Sequence, residues 1–161
     1  MEYRKLGRTD IRVSALALGT MTFGEQNTEA EGHELLDMAA ARGINLFDTA
    51  ELYPIPPKAE TQGRTDEIVG SWIKARGNRD KVILASKVVG RSDKEWFRGG
   101  KTATLSRAHV RDAIEGPEAA PDRLYRPLPG PLAGSGSVHL RLEPDHVRGG
   151  RAAGGRGPDR G

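Results

Sequence analysis

Apolar positions along the first 116 residues follow two alternating rhythms: short continuous runs, and stretches spaced for one face of a helix. Tyr3-Arg4-Lys5-Leu6 and Ile11-Arg12-Val13 flank the turn-rich Gly7-Arg8-Thr9-Asp10, which predicts a short hairpin. Ala15-Leu16-Ala17-Leu18 is a compact apolar run stopped by Gly19, the pattern of a buried strand. Thr28-Glu29-Ala30-Glu31 has capping-box spacing and starts a helix. That helix is expected to bury Leu35, Leu36, Ala39 and Ala40 and to stop at Gly43, a natural left-handed cap. Ile44-Asn45-Leu46-Phe47 follows as a second strand. A loop holding Pro54, Pro56 and Pro57 then leads to a helix over Thr65–Arg76, with Ile68, Val69, Trp72 and Ile73 inward and Gly77 as its cap. Val82-Ile83-Leu84-Ala85 makes a third strand, and Ser106 caps a third helix carrying Val110, Ala113 and Ile114. Strands alternating with helices in this way predict a parallel α/β sheet or barrel.

The rhythm stops at Gly116. From Pro117 to Gly161 there is no Lys, Ile, Thr, Asn, Gln, Phe or Trp, and Pro, Gly, Arg and Ala dominate. Such a segment has too few large apolar side chains to offset its ordering entropy, so residues 117–161 read as a disordered tail behind an ordered unit over 1–116. Charge adds little: the chain carries +3, and residues 1–116 hold 18 Lys and Arg against 17 Asp and Glu. That balance is weak support for a nucleic-acid partner. The absence of cysteine excludes disulfides, thiolate catalysis and cysteine-ligated metals. Met1-Glu2-Tyr3-Arg4-Lys5-Leu6 lacks the apolar stretch of a signal peptide, and no run approaches the length of a membrane span. A cytoplasmic protein is expected.

In parallel α/β folds chemistry gathers where strands end and loops begin. The first strand runs into Gly19-Thr20-Met21-Thr22-Phe23-Gly24, the second into Asp48-Thr49-Ala50-Glu51-Leu52-Tyr53, and the third into Ser86-Lys87-Val88. Asp48 and Lys87 therefore hold equivalent positions on neighbouring strands, close enough to pair, with Tyr53 on the loop above. A phenol is a poor acid at neutral pH; a lysine cation beside it stabilises phenolate, and an aspartate can hold that lysine. The product is a proton donor for a developing alkoxide. Singly, each residue has a bland reading: Asp after a strand is commonly a turn former, and Lys and Tyr at strand ends often snorkel. The glycine segment at 19–24 lacks the spacing of a phosphate or dinucleotide fingerprint. His33 and His109 are expected to be solvated on helices, His139 and His146 lie in the tail, and no metal site emerges.

Taken together, these motifs resemble the aldo-keto reductases over residues 1–116. The resemblance rests on the opening hairpin, Leu18-Gly19-Thr20-Met21-Thr22-Phe23-Gly24, Gly43-Ile44-Asn45-Leu46-Phe47-Asp48-Thr49-Ala50-Glu51-Leu52-Tyr53, and Leu84-Ala85-Ser86-Lys87-Val88. Glu51 through Pro57 and Glu60-Thr61-Gln62-Gly63 look most like its Tas-like branch. It implies a (β/α)8 TIM barrel, here incomplete, with NADPH as cofactor and a small-molecule carbonyl as substrate. It further implies Tyr53 as general acid, Lys87 making that phenol a better acid, and Asp48 supporting Lys87. Backbone near Gly19, Thr20 and Met21, with Asp48, would approach the nicotinamide.

The chain departs from the family after Gly116, where a histidine ending the fourth strand is expected and Pro, Gly and Arg stand instead. Codons can be chosen for Pro117–Gly134 that, read from the second nucleotide, encode Leu-Lys-Arg-Leu-Gln-Thr-Asp-Tyr-Ile-Asp-Leu-Tyr-Gln-Val-His-Trp-Pro-Asp. That peptide resembles the missing continuation, so a net one-base frame change beside Gly116 is expected. Three strands of eight cannot close a barrel; the third strand is then left with an unpaired edge, which predicts a poorly folded, aggregation-prone product without reductase activity. The rival reading is an RNA-binding protein acting through Arg148-Gly149-Gly150-Arg151. Against it stand five acidic residues beside seven arginines in the tail, and no aromatic there beyond Tyr125. A regulatory fragment docking on an intact relative is a third reading, for which the sequence offers no direct sign.

Overall fold

The computed structural model describes residues 1–92, 94, 96, 97, 104–115 and 137–141. An antiparallel hairpin of β1 (Tyr3–Lys5) and β2 (Arg12–Ser14) opens the chain, with Tyr3 opposite Ser14. Three parallel strands follow: β3 (Ala17–Gly19), β4 (Leu46–Asp48) and β5 (Ile83–Val89), with α1 (Glu29–Ala41) and α2 (Arg64–Arg76) as the crossovers between them. The helix α3 (Arg107–Glu115) comes after β5, and Ser106 Oγ accepts from the His109 N–H at its start, as its capping role requires. The register aligns Gly19, Asp48 and Ala85 across the three strands.

Local signals explain most of these boundaries. Thr28 and Glu31 form a reciprocal capping box at the start of α1. Hydrogen bonds to Glu31 Oε2, first from the Thr28 backbone N–H and then from its hydroxyl, draw the Glu31 carboxyl below its usual range. Gly77 closes α2 at φ 57°, a left-handed conformation that glycine adopts without a Cβ clash. The core lies between the helices and one face of the sheet. Phe47 and Trp72 meet edge to face at 5.6 Å, surrounded by buried Phe23, Leu36, Ile68, Val69, Ile73 and Leu84.

Several expectations change on the helix faces. Leu35 is 37% exposed, whereas Gly32 takes the buried position on α1, where a side-chain carbon would sit 3.0 Å from Ile68 Cγ2. His33 is only partly exposed: its Nε2 lies 2.9 Å from Ser71 Oγ and 3.2 Å from the Ile68 carbonyl, bridging α1 to α2. Ser71 also donates to Glu29, and that bond, with the Arg64 cation nearby, holds the Glu29 carboxyl below its usual range.

The sheet edge differs too. The third parallel strand was expected to keep an open edge, but Ser137–Arg141 forms β6 and pairs antiparallel with β5, aligning Ser137 with Val89 and Arg141 with Ala85. Within the expected disordered tail these five residues therefore form a strand; the rest of 117–161 lies outside the described residues. Backbone groups of β5 that need partners recruit them where a strand is within reach. The sheet order is β3-β4-β5-β6, an open sheet rather than a closed barrel, and among the described residues β3 pairs with β4 alone. No helix among the described residues is long and apolar enough to cross a membrane.

Candidate active site

Strand pleating decides which side chains meet. Asp48 and Ala85 share a register position, and Lys87 stands two residues further along β5, hence on the same face as Asp48. Phe47 and Leu84, on the opposite face, pack into the helix-side core. The polar pair is thereby turned away from the helices, Asp48 at the end of β4 and Lys87 inside β5.

Lys87 Nζ donates to Asp48 Oδ2 at 2.6 Å and to the Thr49 carbonyl at 2.8 Å. Both partners are half-screened from solvent, with 20% of the lysine side chain and 33% of the aspartate exposed. Tyr53 closes the group: Lys87 Nζ stands 4.8 Å from the centroid of its ring, within cation–π range. A turn bonding the Tyr53 N–H to the Ala50 carbonyl carries the chain from β4 up to this position. The loop is tied on both flanks, by the Gly63 N–H to the Tyr53 carbonyl at 3.0 Å and the Ile55 N–H to the Met21 carbonyl at 2.9 Å. Asp48, Tyr53 and Lys87 are thus assembled as the sequence predicts, although Lys87 lies within β5 rather than beyond its end.

The residues flanking Asp48 divide their tasks. Thr20 is buried, and both its N–H and its hydroxyl donate to the Asp48 carbonyl, at 3.0 and 2.9 Å. Its carbonyl accepts from the Phe23 N–H, so Thr20 fixes the backbone beneath the site. Gly19 is exposed, and no atom lies within 4 Å of where a side-chain carbon would project. Met21 is exposed as well. The surface over Gly19 is therefore open. Among the described residues no three His, Asp or Glu side chains gather as metal ligands.

Sequence reasoning passed over one supporting contact. Thr49, next to Asp48, is buried and donates from its hydroxyl to Asp66 Oδ1 on α2 at 2.6 Å. The spacing of Thr49 and Asp66 carries no local signal; the pairing exists only once α2 returns across β4.

Comparison with known proteins supplies the context. The sequence profile described as "Aldo/keto reductase family" matches residues 15–115. Protein tas of Escherichia coli strain K12 is 48% identical over 116 residues, which make up 71% of this chain and 33% of that protein. The uncharacterized oxidoreductase YrpG of Bacillus subtilis is 46% identical over 89 residues, 55% of this chain and 26% of its own. Among solved structures, aldo-keto reductase AKR11C1 from Bacillus halodurans in its holo form superposes with a TM-score of 0.58 at 33% identity, over 77% of this chain and 36% of that one. The chain spans about a quarter to a third of the length of these relatives.

Proposed function

Because the chain belongs to the aldo/keto reductase family, we propose that Asp48, Tyr53 and Lys87 are the proton-donating side of an NADPH-dependent cytoplasmic carbonyl reductase. The observation that carries this reading is Lys87 Nζ, held at once by Asp48 Oδ2, the Thr49 carbonyl and the Tyr53 ring. Tyr53 gives its phenolic proton to the oxygen of a small-molecule carbonyl as that oxygen becomes an alkoxide. The lysine cation beside the ring stabilises the negative charge left on the phenol oxygen. Asp48 and the Thr49 carbonyl fix the ammonium, so little reorganisation is needed when the proton moves. NADPH, when bound, supplies the hydride, and Gly19, Met21 and Asp48 are the residues here that would lie along its nicotinamide. Thr20 contributes by holding the Asp48 backbone.

The reading extends to the break in composition. The described parallel strands are three of the eight that a barrel of this family closes with. In our reading residues 117–161 come from a shifted frame, and the chain as it stands is an inherited site without turnover. The experiment is to sequence the gene across the codons for Glu115–Gly134, then express both the protein as it stands and a frame-restored version. The restored protein should oxidise NADPH with aldehydes or ketones, and Tyr53→Phe should lower that rate by about 10²–10⁴-fold. Turnover by the unrestored chain, or a restored protein indifferent to Tyr53→Phe, would refute the proposal.

A further inference from the structure

The loop that carries Tyr53 and the strand that carries Lys87 are joined by a side chain outside that trio. Past the end of β4 the parallel ladder continues, with the Thr49 N–H donating to the Ala85 carbonyl at 2.8 Å and the Glu51 N–H to the Lys87 carbonyl at 3.0 Å. In a regular parallel ladder the next donor, the Val89 N–H, would meet the carbonyl of Glu51. That carbonyl is taken instead by Gln62 Nε2 at 2.9 Å. The Val89 N–H goes to the carboxylate of the same residue, Glu51 Oε2, at 2.9 Å. Glu51 has exchanged its main-chain acceptor for its side chain.

The exchange solves a geometric conflict. The chain after Glu51 must leave the sheet to bring Tyr53 above Lys87, yet β5 must stay paired through Lys87 so that Nζ reaches Thr49. A carboxylate on a flexible stem can accept from Val89 while the backbone turns away. The freed carbonyl then anchors the returning end of the loop at Gln62, next to Gly63, whose N–H holds the Tyr53 carbonyl.

We propose that Glu51 is a positioning residue that clamps the Lys87 strand to the Tyr53 loop and so sets the distance between the acid and its cation. The inference deepens the reductase reading and rests on it for its catalytic meaning, but the clamp itself has a readout that needs no turnover. The Val89 N–H requires an oxygen, not a charge, so Glu51→Gln should preserve the clamp and Glu51→Ala should release it.

The purified chain and both variants are treated with an amine-acylating reagent, and labelling of each lysine is followed by peptide mass spectrometry. Lys5, Lys74 and Lys81, outside that loop, serve as internal references. In Glu51→Ala, Lys87 should label about five-fold faster, the population shift that one net hydrogen bond supplies, with the references unchanged. In Glu51→Gln the slow labelling should return. Unchanged labelling of Lys87, a uniform rise at every lysine, or a glutamine variant as labile as the alanine one would each overturn the proposal. Shifted labelling beside a frame-restored protein that never reduces a carbonyl would instead sink the reductase reading and leave the clamp standing.

Discussion

Asp37 on α1 accepts three hydrogen bonds from α2, and its replacement should loosen the contact between the two helices by an amount that can be bounded. Arg76 donates through Nε at 3.0 Å and Nη2 at 2.7 Å, and the indole Nε1 of Trp72 donates at 2.8 Å. The Arg76 guanidinium, followed by the Trp72 N–H, holds the Asp37 carboxyl at about 2, below its ordinary 3.8. At 1.36 kcal/mol per tenfold change in proton affinity, the whole difference would be on the order of 2 kcal/mol. Solvent reaches 43% of Asp37 and 46% of Arg76, however, and screening reduces the ionic contribution to about 0.5–1 kcal/mol. The folded carboxyl is the stronger acid, so this contribution is complete above about pH 4 and disappears as pH falls toward about 2. Asp37→Asn keeps an acceptor for Trp72 but loses the charge, and should cost about 0.5–1 kcal/mol near neutral pH. Asp37→Ala also strands the indole N–H of a buried tryptophan, and should cost about 1.5–3 kcal/mol. Urea titrations at low protein concentration, read by Trp72 emission in a Trp96→Phe background, measure both. An asparagine variant equal to the parent near neutral pH, or a gap that stays constant down to about pH 2, would show that the ion pair contributes nothing.

Two further perturbations test the packing. Gly32→Ala should destabilise by about 0.5–1.5 kcal/mol in the same urea assay, because overpacking against Ile68 Cγ2 and Phe23 Cδ2 outweighs the gain in helix propensity of about 1 kcal/mol. A higher urea midpoint would mean that Ile68 and Phe23 yield more easily than their burial implies. Leu16→Lys puts a charge beside the exposed edge of β3, within a run from Val13 to Gly24 that carries none. Light scattering should show slower association of the purified chain; an unchanged rate would locate the sticky surface elsewhere.

Legibility in the sequence tracked how local each signal was. The helix α2 could be read almost to the residue, because Ile68, Val69, Trp72 and Ile73 repeat at helical spacing and Gly77 ends the pattern. The capping box at Thr28 and the pairing of Asp48 with Lys87 were equally legible, the latter because parallel strands bring their ends to one side. Gly32 was missed for a physical reason: a residue with no side chain gives no hydrophobic signal, and only the approach of Ile68 and Phe23 makes it a core position. Leu35 was assigned inward by periodicity, but the interface with α2 is narrow enough to leave it at the rim. His33 and Thr49 find their partners 35 to 38 and 17 residues away, and Glu51 finds Val89 at 38, separations at which composition and spacing say nothing. β6 was passed over although Ser137-Val138-His139-Leu140-Arg141 alternates polar and apolar residues, because the Pro-, Gly- and Arg-rich composition around it reads as a tail.

Asn45, at the start of β4, joins more of the molecule than its size suggests. Its Oδ1 accepts from the Ser14 N–H, its Nδ2 donates to the Arg12 carbonyl, its N–H donates to Ser14 Oγ, and its carbonyl accepts from the Ile83 N–H. One amide thus fastens the opening hairpin to both central strands, at the end of the sheet away from Asp48 and Lys87. A strand's length, about 10 Å, separates that fastening from the chemistry. A label fused at the hairpin should therefore leave the Asp48–Lys87 pair undisturbed. The two ends of β4 thus do separate work, one fastening the hairpin and the other holding Lys87 through Asp48.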